Sequence, residues 1–133
     1  MSELNIKTHD RIDRRLCGNP LSLEEGVCTV ALRLTDEMRA DDSGLVHGGF
    51  VFGLADYAAM LAVNHPNVVL GKADVAFLKP AGAGELLTAT ARVMVSEGKK
   101  RTVAVEIVRG DERVFTGTFL CVVPDRHVLG GPS

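Results

Sequence analysis

Between residues 26 and 123 the chain switches between two hydrophobic periods. "GVCTVALRLT" (26–35) alternates, with Val30, Leu32 and Leu34 on one side and Thr29, Arg33 and Thr35 opposite. That is the two-residue period of a half-buried strand. "DEMRADDSGL" (36–45) is a polar loop. "FVFGLADYAAMLAV" (50–63) does not alternate; it is rich in Ala, Leu, Met and Phe, with only Val51 and Val63 β-branched. It predicts a helix over 49–64, apolar nearly all round and therefore buried on every side. Pro66 in "NHPN" ends it. Strand patterns return at 68–78, 85–97, 102–108 and 113–123. "GKKR" and "RGDE" read as tight turns, the second with Gly110-Asp111 at its tip. Residues 1–25 are polar and mixed, with a short helix predicted at "HDRIDRRL" before "CGNP" stops it. Residues 124–133 read as a frayed tail.

Strand, helix, then four strands on short connections predicts an antiparallel sheet and an α+β layer arrangement. A helix apolar on most sides needs more cover than one flat sheet face supplies. The pattern predicts a sheet of five to six strands curled around it, with a second copy of the chain covering the rest. The expected organisation is one domain over 1–133: an extension (1–25), a core (26–123) and a tail (124–133).

One residue conflicts with the burial. Asp56 sits near the centre of the apolar helix. An ionised carboxylate stranded there costs several kcal/mol unless paired or hydrogen-bonded. It has either a structural partner or a task.

Composition narrows the classes. With 46% hydrophobic and 24% charged residues and a net charge of −2, nothing points to a nucleic-acid partner, and aromatics for base stacking are scarce. The apolar run is shorter than the roughly 20 residues of a membrane span, and no export signal is read at the start. Cys17, Cys28 and Cys121 form no CxxC, and the four histidines are scattered, so neither a disulfide framework nor a metal site is expected. A reducing cytoplasm is the simplest compartment.

The strand–helix–four-strand order, with "HGGFVFGLAD" opening the helix and "FLKPAGAGELLTATARV" after it, resembles the hot-dog-fold acyl-CoA thioesterases. The branch most resembled is the phenylacetate-pathway (PaaI-like) one, related to the 4-hydroxybenzoyl-CoA thioesterases. The likeness covers roughly residues 26–123. It rests on the His47-Gly48-Gly49 tripeptide, the carboxylate eight residues after Gly48, and the "FLKP" segment at its distance. The resemblance implies a homodimer or a dimer of dimers with active sites at the subunit interface. It places the acid, as general base or nucleophile, on Asp56 and the oxyanion donor on the Gly48 N–H. His47 would help fix that turn. The substrate would be an acyl-CoA thioester, with no metal and no cofactor beyond the CoA of the substrate. Two positions depart from the pattern. Asp41 stands where many relatives have Asn, and Gly71 where many carry Ser or Thr to hold the attacking water.

The chemistry suits these residue types. Thioester hydrolysis needs a donor for the developing oxyanion and a base or nucleophile. A helix N-terminus offers unpaired N–H groups and partial positive charge, and Gly48 and Gly49 let a substrate approach the backbone closely. Burial raises the pKa of Asp56. Gly48 and Asp56 are separated by roughly 12 Å of helix at about 1.5 Å per residue, so one thioester carbon cannot touch both. Two antiparallel helices from two subunits would close that gap. Lys99, Lys100 and Arg101 are candidates for the CoA phosphates, against the plainer reading of a solvated hairpin. A second function stays open: a non-catalytic acyl-CoA sensor or binding protein, kept in view by Asp41 and Gly71. A hydratase would pair a His and an acid in a spacing not found here.

Overall fold

The structure, a computed structural model, describes residues 4–130. The elements are α1 (Arg14–Cys17), β1 (Asn19–Glu24), β2 (Val27–Arg33), a 3-10 turn (Asp36–Met38), α2 (Gly48–Val63), β3 (Val69–Phe77), β4 (Leu86–Glu97), β5 (Lys100–Arg109) and β6 (Glu112–Val122). The strands form one antiparallel sheet in the order β1-β2-β4-β5-β6-β3. α2 carries the chain across the sheet, so β3 joins the far edge, beside β6. The long helix wrapped by a six-stranded sheet is the hot-dog architecture.

The alternating residues supply the inner face. Cys28, Val30 and Leu32 of β2, Leu87, Ala89 and Ala91 of β4, Val103, Val105 and Ile107 of β5, and Phe115, Phe119 and Cys121 of β6 are buried against Leu54, Ala58 and Leu61 of α2. Side chains two apart share a sheet face, which is why these strands were legible. A register break between Val93 and Val95 takes the end of β4 out of the pattern, leaving Met94 and Val95 exposed.

The structure corrects four expectations. Within the expected extension 1–25, the described residues are not an appendage: β1 extends the sheet from Asn19. Only Pro20 of β1 is buried, so no alternation marked it, and a proline is tolerated on an edge strand. α1 packs on α2, and the Asn64 side chain clamps the first described residues, accepting from Lys7 N–H (2.8 Å) and donating to Asn5 O (2.8 Å). Second, one side of α2 is covered within a single chain, while Phe52, Gly53, Asp56 and Val63 are only partly covered. Leu54, Ala55, Ala58, Ala59 and Leu61 are fully buried within one chain. The curled sheet and the N-terminal segment supply that part of the cover. Third, the "GKKR" turn is only Gly98 and Lys99; Lys100 and Arg101 already belong to β5. Fourth, the tail is held where it begins. Asn67 Nδ2 donates to Pro124 O (3.1 Å) and Lys99 pairs with Asp125 (3.1 Å).

α2 starts at Gly48 and ends at Asn64, a left-handed cap at φ 52°, ψ 46°, a conformation asparagine tolerates. No helix among the described residues is long and apolar enough to cross a membrane.

Candidate active site

The approach to α2 is a short extended segment held on both sides. Arg39 bridges Val46 and Leu45 bridges Gly82. Val46 N–H donates to Ala81 O (2.8 Å) and His47 N–H to Met38 O (3.0 Å). His47 is the N-cap, extended at φ −62°, ψ 130°, with no side-chain capping bond. Its ring folds over Gly49, where a Cβ would lie 2.9 Å from it, and stands edge-on to Phe50 with centroids 6.2 Å apart. A side chain at position 49 would have to displace the His47 ring. Among the described residues the Gly48 and Gly49 N–H groups find no acceptor, as expected for the first turn of a helix. Beside Gly48 lies a cavity of about 330 Å³, walled by Val46, Val51, Phe77, Leu78 and Pro80. A Cβ on Gly48 would come 3.4 Å from the Phe77 ring.

Two turns on, Asp56 shares a partly open stripe of α2 with Gly49, Phe52, Gly53 and Val63. Its Oδ1 is closed off from solvent and has no hydrogen-bond partner. Burial pushes its pKa above the ordinary 3.8, because desolvation disfavours the charged form. Two thiols feel it: burial first and then the Asp56 charge raise Cys121 to about 12, and burial, then Asp13, then Asp56 raise Cys17. Burial lifts Cys28 to about 12. Such thiols are not thiolate nucleophiles at neutral pH.

The Asp41 carboxylate organises the loop before α2. Its Oδ1 accepts from Ser43 Oγ (2.6 Å), Ser43 N–H (2.9 Å) and Leu45 N–H (3.3 Å). These bonds, the hydroxyl's first, hold its pKa below the usual value. An Asn oxygen would accept the same bonds, so the departure at Asp41 preserves the loop's order.

The remaining candidates lie at the other end of the sheet. Phe77, beside Gly48, pairs with Phe115, whereas Val69 pairs with Val122, which also faces Lys100. Gly71 sits at a bulge in β3 between Leu70 and Lys72, and a Cβ there would meet Val122 at 3.3 Å. Lys99 is paired with Asp125, and Arg101 Nη1 donates to Gly98 O (2.8 Å) and Lys100 O (3.0 Å). One chain therefore gathers Asp41, His47, Gly48 and Gly49 at one end and Gly71, Lys99, Lys100 and Arg101 at the other, with Asp56 between. Phe77 and the cavity beside it were not foreseen: an exposed aromatic at the end of an edge strand leaves no periodic signal. Among the described residues no group of three or more His, Cys, Asp or Glu is placed to hold a metal ion.

The thioesterase superfamily model matches residues 43–116, more than half of the chain, from the loop before α2 into β6. The chain belongs to the thioesterase superfamily. Within the superfamily, the acyl-coenzyme A thioesterase PaaI of Escherichia coli is 35% identical over 96 residues, 70% of this chain and 67% of that protein. The methylthioribose-1-phosphate isomerase of Aquifex aeolicus is 50% identical over 119 residues, 90% of this chain but 26% of that protein. The transcription factor FapR of a Thermoanaerobacter species is 28% identical over 113 residues, 84% of this chain and 56% of that protein. The chain thus spans about a quarter of the Aquifex protein and about half of FapR. A crystal structure from Pyrococcus horikoshii superposes with a TM-score of 0.93 at 50% identity, covering 97% of this chain and 99% of that one.

Proposed function

We propose that the chain is an acyl-CoA thioesterase of the PaaI-like kind, active as a homodimer or dimer of dimers. The observation that carries this reading is an unpartnered, buried carboxylate oxygen on the same helix whose first N–H groups are free. In the base form of the mechanism, Asp56 takes a proton from water and the water oxygen attacks the thioester carbon. The oxyanion collects at the Gly48 N–H, the C–S bond breaks, and the proton returns to the CoA thiolate. In the nucleophile form, the Asp56 carboxylate attacks and the acyl-enzyme anhydride is then hydrolysed. Both yield a free acid and CoA, and neither uses a further cofactor. CoA thiolate is a good leaving group, so neither needs a strong acid.

Two subunits are part of the proposal. Gly48 and Asp56 are roughly 12 Å apart along α2. An antiparallel partner helix would bring its own Gly48 beside this Asp56. It would also bring the far-end group, Gly71 with Lys99, Lys100 and Arg101, toward the partner's donor end. The exposed edge strand β3, ending at Phe77 (53% exposed) and Leu78 (43%), is a surface that such pairing would cover. Of the basic run, Lys99 is paired with Asp125 and Arg101 is bonded to two backbone carbonyls, so Lys100 is the strongest phosphate candidate.

A second reading is supported by the missing hydroxyl at Gly71 and by the likeness to a transcription factor: a protein that binds acyl-CoA without cleaving it. Thiol release measured across a panel of acyl-CoA esters, beside calorimetric binding of the same esters, separates the two. Release that disappears in Asp56→Asn supports hydrolysis. Binding with no release by the unmodified protein replaces the enzyme with a binding protein.

A further inference from the structure

Arg109, the last residue of β5, is three-quarters covered. Its Nη1 donates to Pro80 O (2.9 Å) and to Glu85 Oε1 (3.0 Å), and its Nη2 to Glu112 Oε1. The same Glu85 oxygen accepts the Gly82 N–H. One guanidinium thus holds the start of the turn 80–85 through a carbonyl, its end through a carboxylate, and its middle through that carboxylate's second bond. The turn, "PAGAGE", has little stiffness of its own: Gly84 stands at φ +92°, and glycine has the greatest freedom to lose.

The other side of this turn holds the approach to α2. Ala81 O accepts the Val46 N–H (2.8 Å), Ala83 N–H donates to Gly44 O (2.9 Å), and Gly82 bridges Leu45. Pro80 and Ala81 also wall the cavity beside Gly48. Arg109 stands behind that wall, lining a separate cavity of about 270 Å³ with Pro80, Gly82 and Glu85. A continuous series of bonds runs from the end of β5, through the turn, to residues 44–46 and into His47 and Gly48.

We propose that Arg109 is a positioning residue that sets the Gly48 N–H and the cavity wall through the turn 80–85. For its catalytic part this rests on the thioesterase reading. An oxyanion donor works over only a few tenths of an ångström, and a misplacement of about 1 Å costs about a hundredfold in rate. Lysine cannot replace the fork, since an ammonium is a point charge and does not span a carbonyl and two carboxylates in one plane.

The test uses R109M and R109K in the full chain, with two readouts. In hydrogen exchange, R109M should speed the bonded amides of Val46, His47, Gly82 and Ala83 by about tenfold, with β2, β4 and β5 unchanged. In thiol release, kcat should fall by about ten- to a hundredfold with KM within about twofold, and R109K should fall between wild type and R109M in both readouts. Unchanged exchange at Val46 and His47 overturns the proposal, as does a wild-type kcat in R109M. Faster exchange across the whole sheet overturns it too, by reducing Arg109 to general stability. If R109M does not fold, R109K decides by the same readouts. A wild-type protein that releases no thiol from any ester removes the thioesterase reading alone, because the exchange data still decide whether Arg109 orders the Gly48 segment.

Discussion

Asp56 carries a burial cost that bears on stability and, under the proposed function, on rate. Burial raises its folded-state pKa above 3.8, so the folded chain holds this proton more tightly than the unfolded one. The resulting stability is fully present below the unfolded value and is lost as pH rises through the folded value. At neutral pH the Asp56 charge opposes folding. Asp56→Asn removes that charge at constant size, so its melting midpoint at pH 7 should equal or exceed wild type, and the difference should vanish below about pH 4. In the same variant kcat should fall by at least about a hundredfold with acyl-CoA affinity kept; near wild-type turnover by a well-folded variant would end the assignment. Gly48 admits an equally sharp change. It is the first residue of α2, where proline is accepted, and His47 already has the extended backbone a following proline requires. Gly48→Pro should keep the helix, read by circular dichroism, while deleting the N–H and lowering kcat by about a hundred- to a thousandfold. Turnover at the wild-type rate would show that this N–H holds no oxyanion.

At the scale of elements, β3 is the strand to watch. It is the edge that carries Phe77 to the helix start, and it is attached to the sheet through β6 alone. Gly117 of β6 faces Val75, and a Cβ there would lie 2.7 Å from Val75 Cγ1 and 3.1 Å from the Phe119 ring. Gly117→Ala should therefore cost about 1–3 kcal/mol, the scale of overpacking, read as a lower denaturant midpoint. A midpoint equal to wild type would mean that β3 shifts freely on β6. The elements also differ in how readable they were. β2, β4 and β5 each bury alternate residues against α2, so a period of two revealed them. β1 buries one residue, and the bulge at Gly71 interrupts β3 without any mark in the hydrophobic pattern.

For the whole molecule, the decisive quantity is the separation of acid and donor on one helix. If each site takes Asp56 from one chain and the Gly48 N–H from another, two inactive variants should repair each other. Asp56→Asn mixed with Gly48→Pro, after subunit exchange, should regain about a quarter of wild-type activity, since about half the dimers are mixed and each holds one intact site. No recovery from mixtures shown to exchange would place both groups in one subunit. The same mixture should sediment as a dimer or larger.

The residue order alone determined that this chain folds as strands around one buried helix, because side-chain period follows directly from backbone geometry and needs no long-range knowledge. It also singled out Asp56, since one carboxylate in an apolar run is a local contradiction visible without coordinates. His47, Gly48 and Gly49 came with it through the spacing of the resemblance. Tertiary structure decided what spacing cannot carry. The N-terminal segment adds to the cover of α2, because a clamp between Asn64 and residues 5 and 7 joins positions nearly sixty residues apart. Gly71 and the basic run stand at the opposite end of the sheet from Gly48, because strand register, not sequence distance, sets position along a sheet. Arg109 had no pattern to betray it: its place behind the Gly48 cavity exists only where the end of β5, the turn 80–85 and the approach to α2 are brought together by the fold.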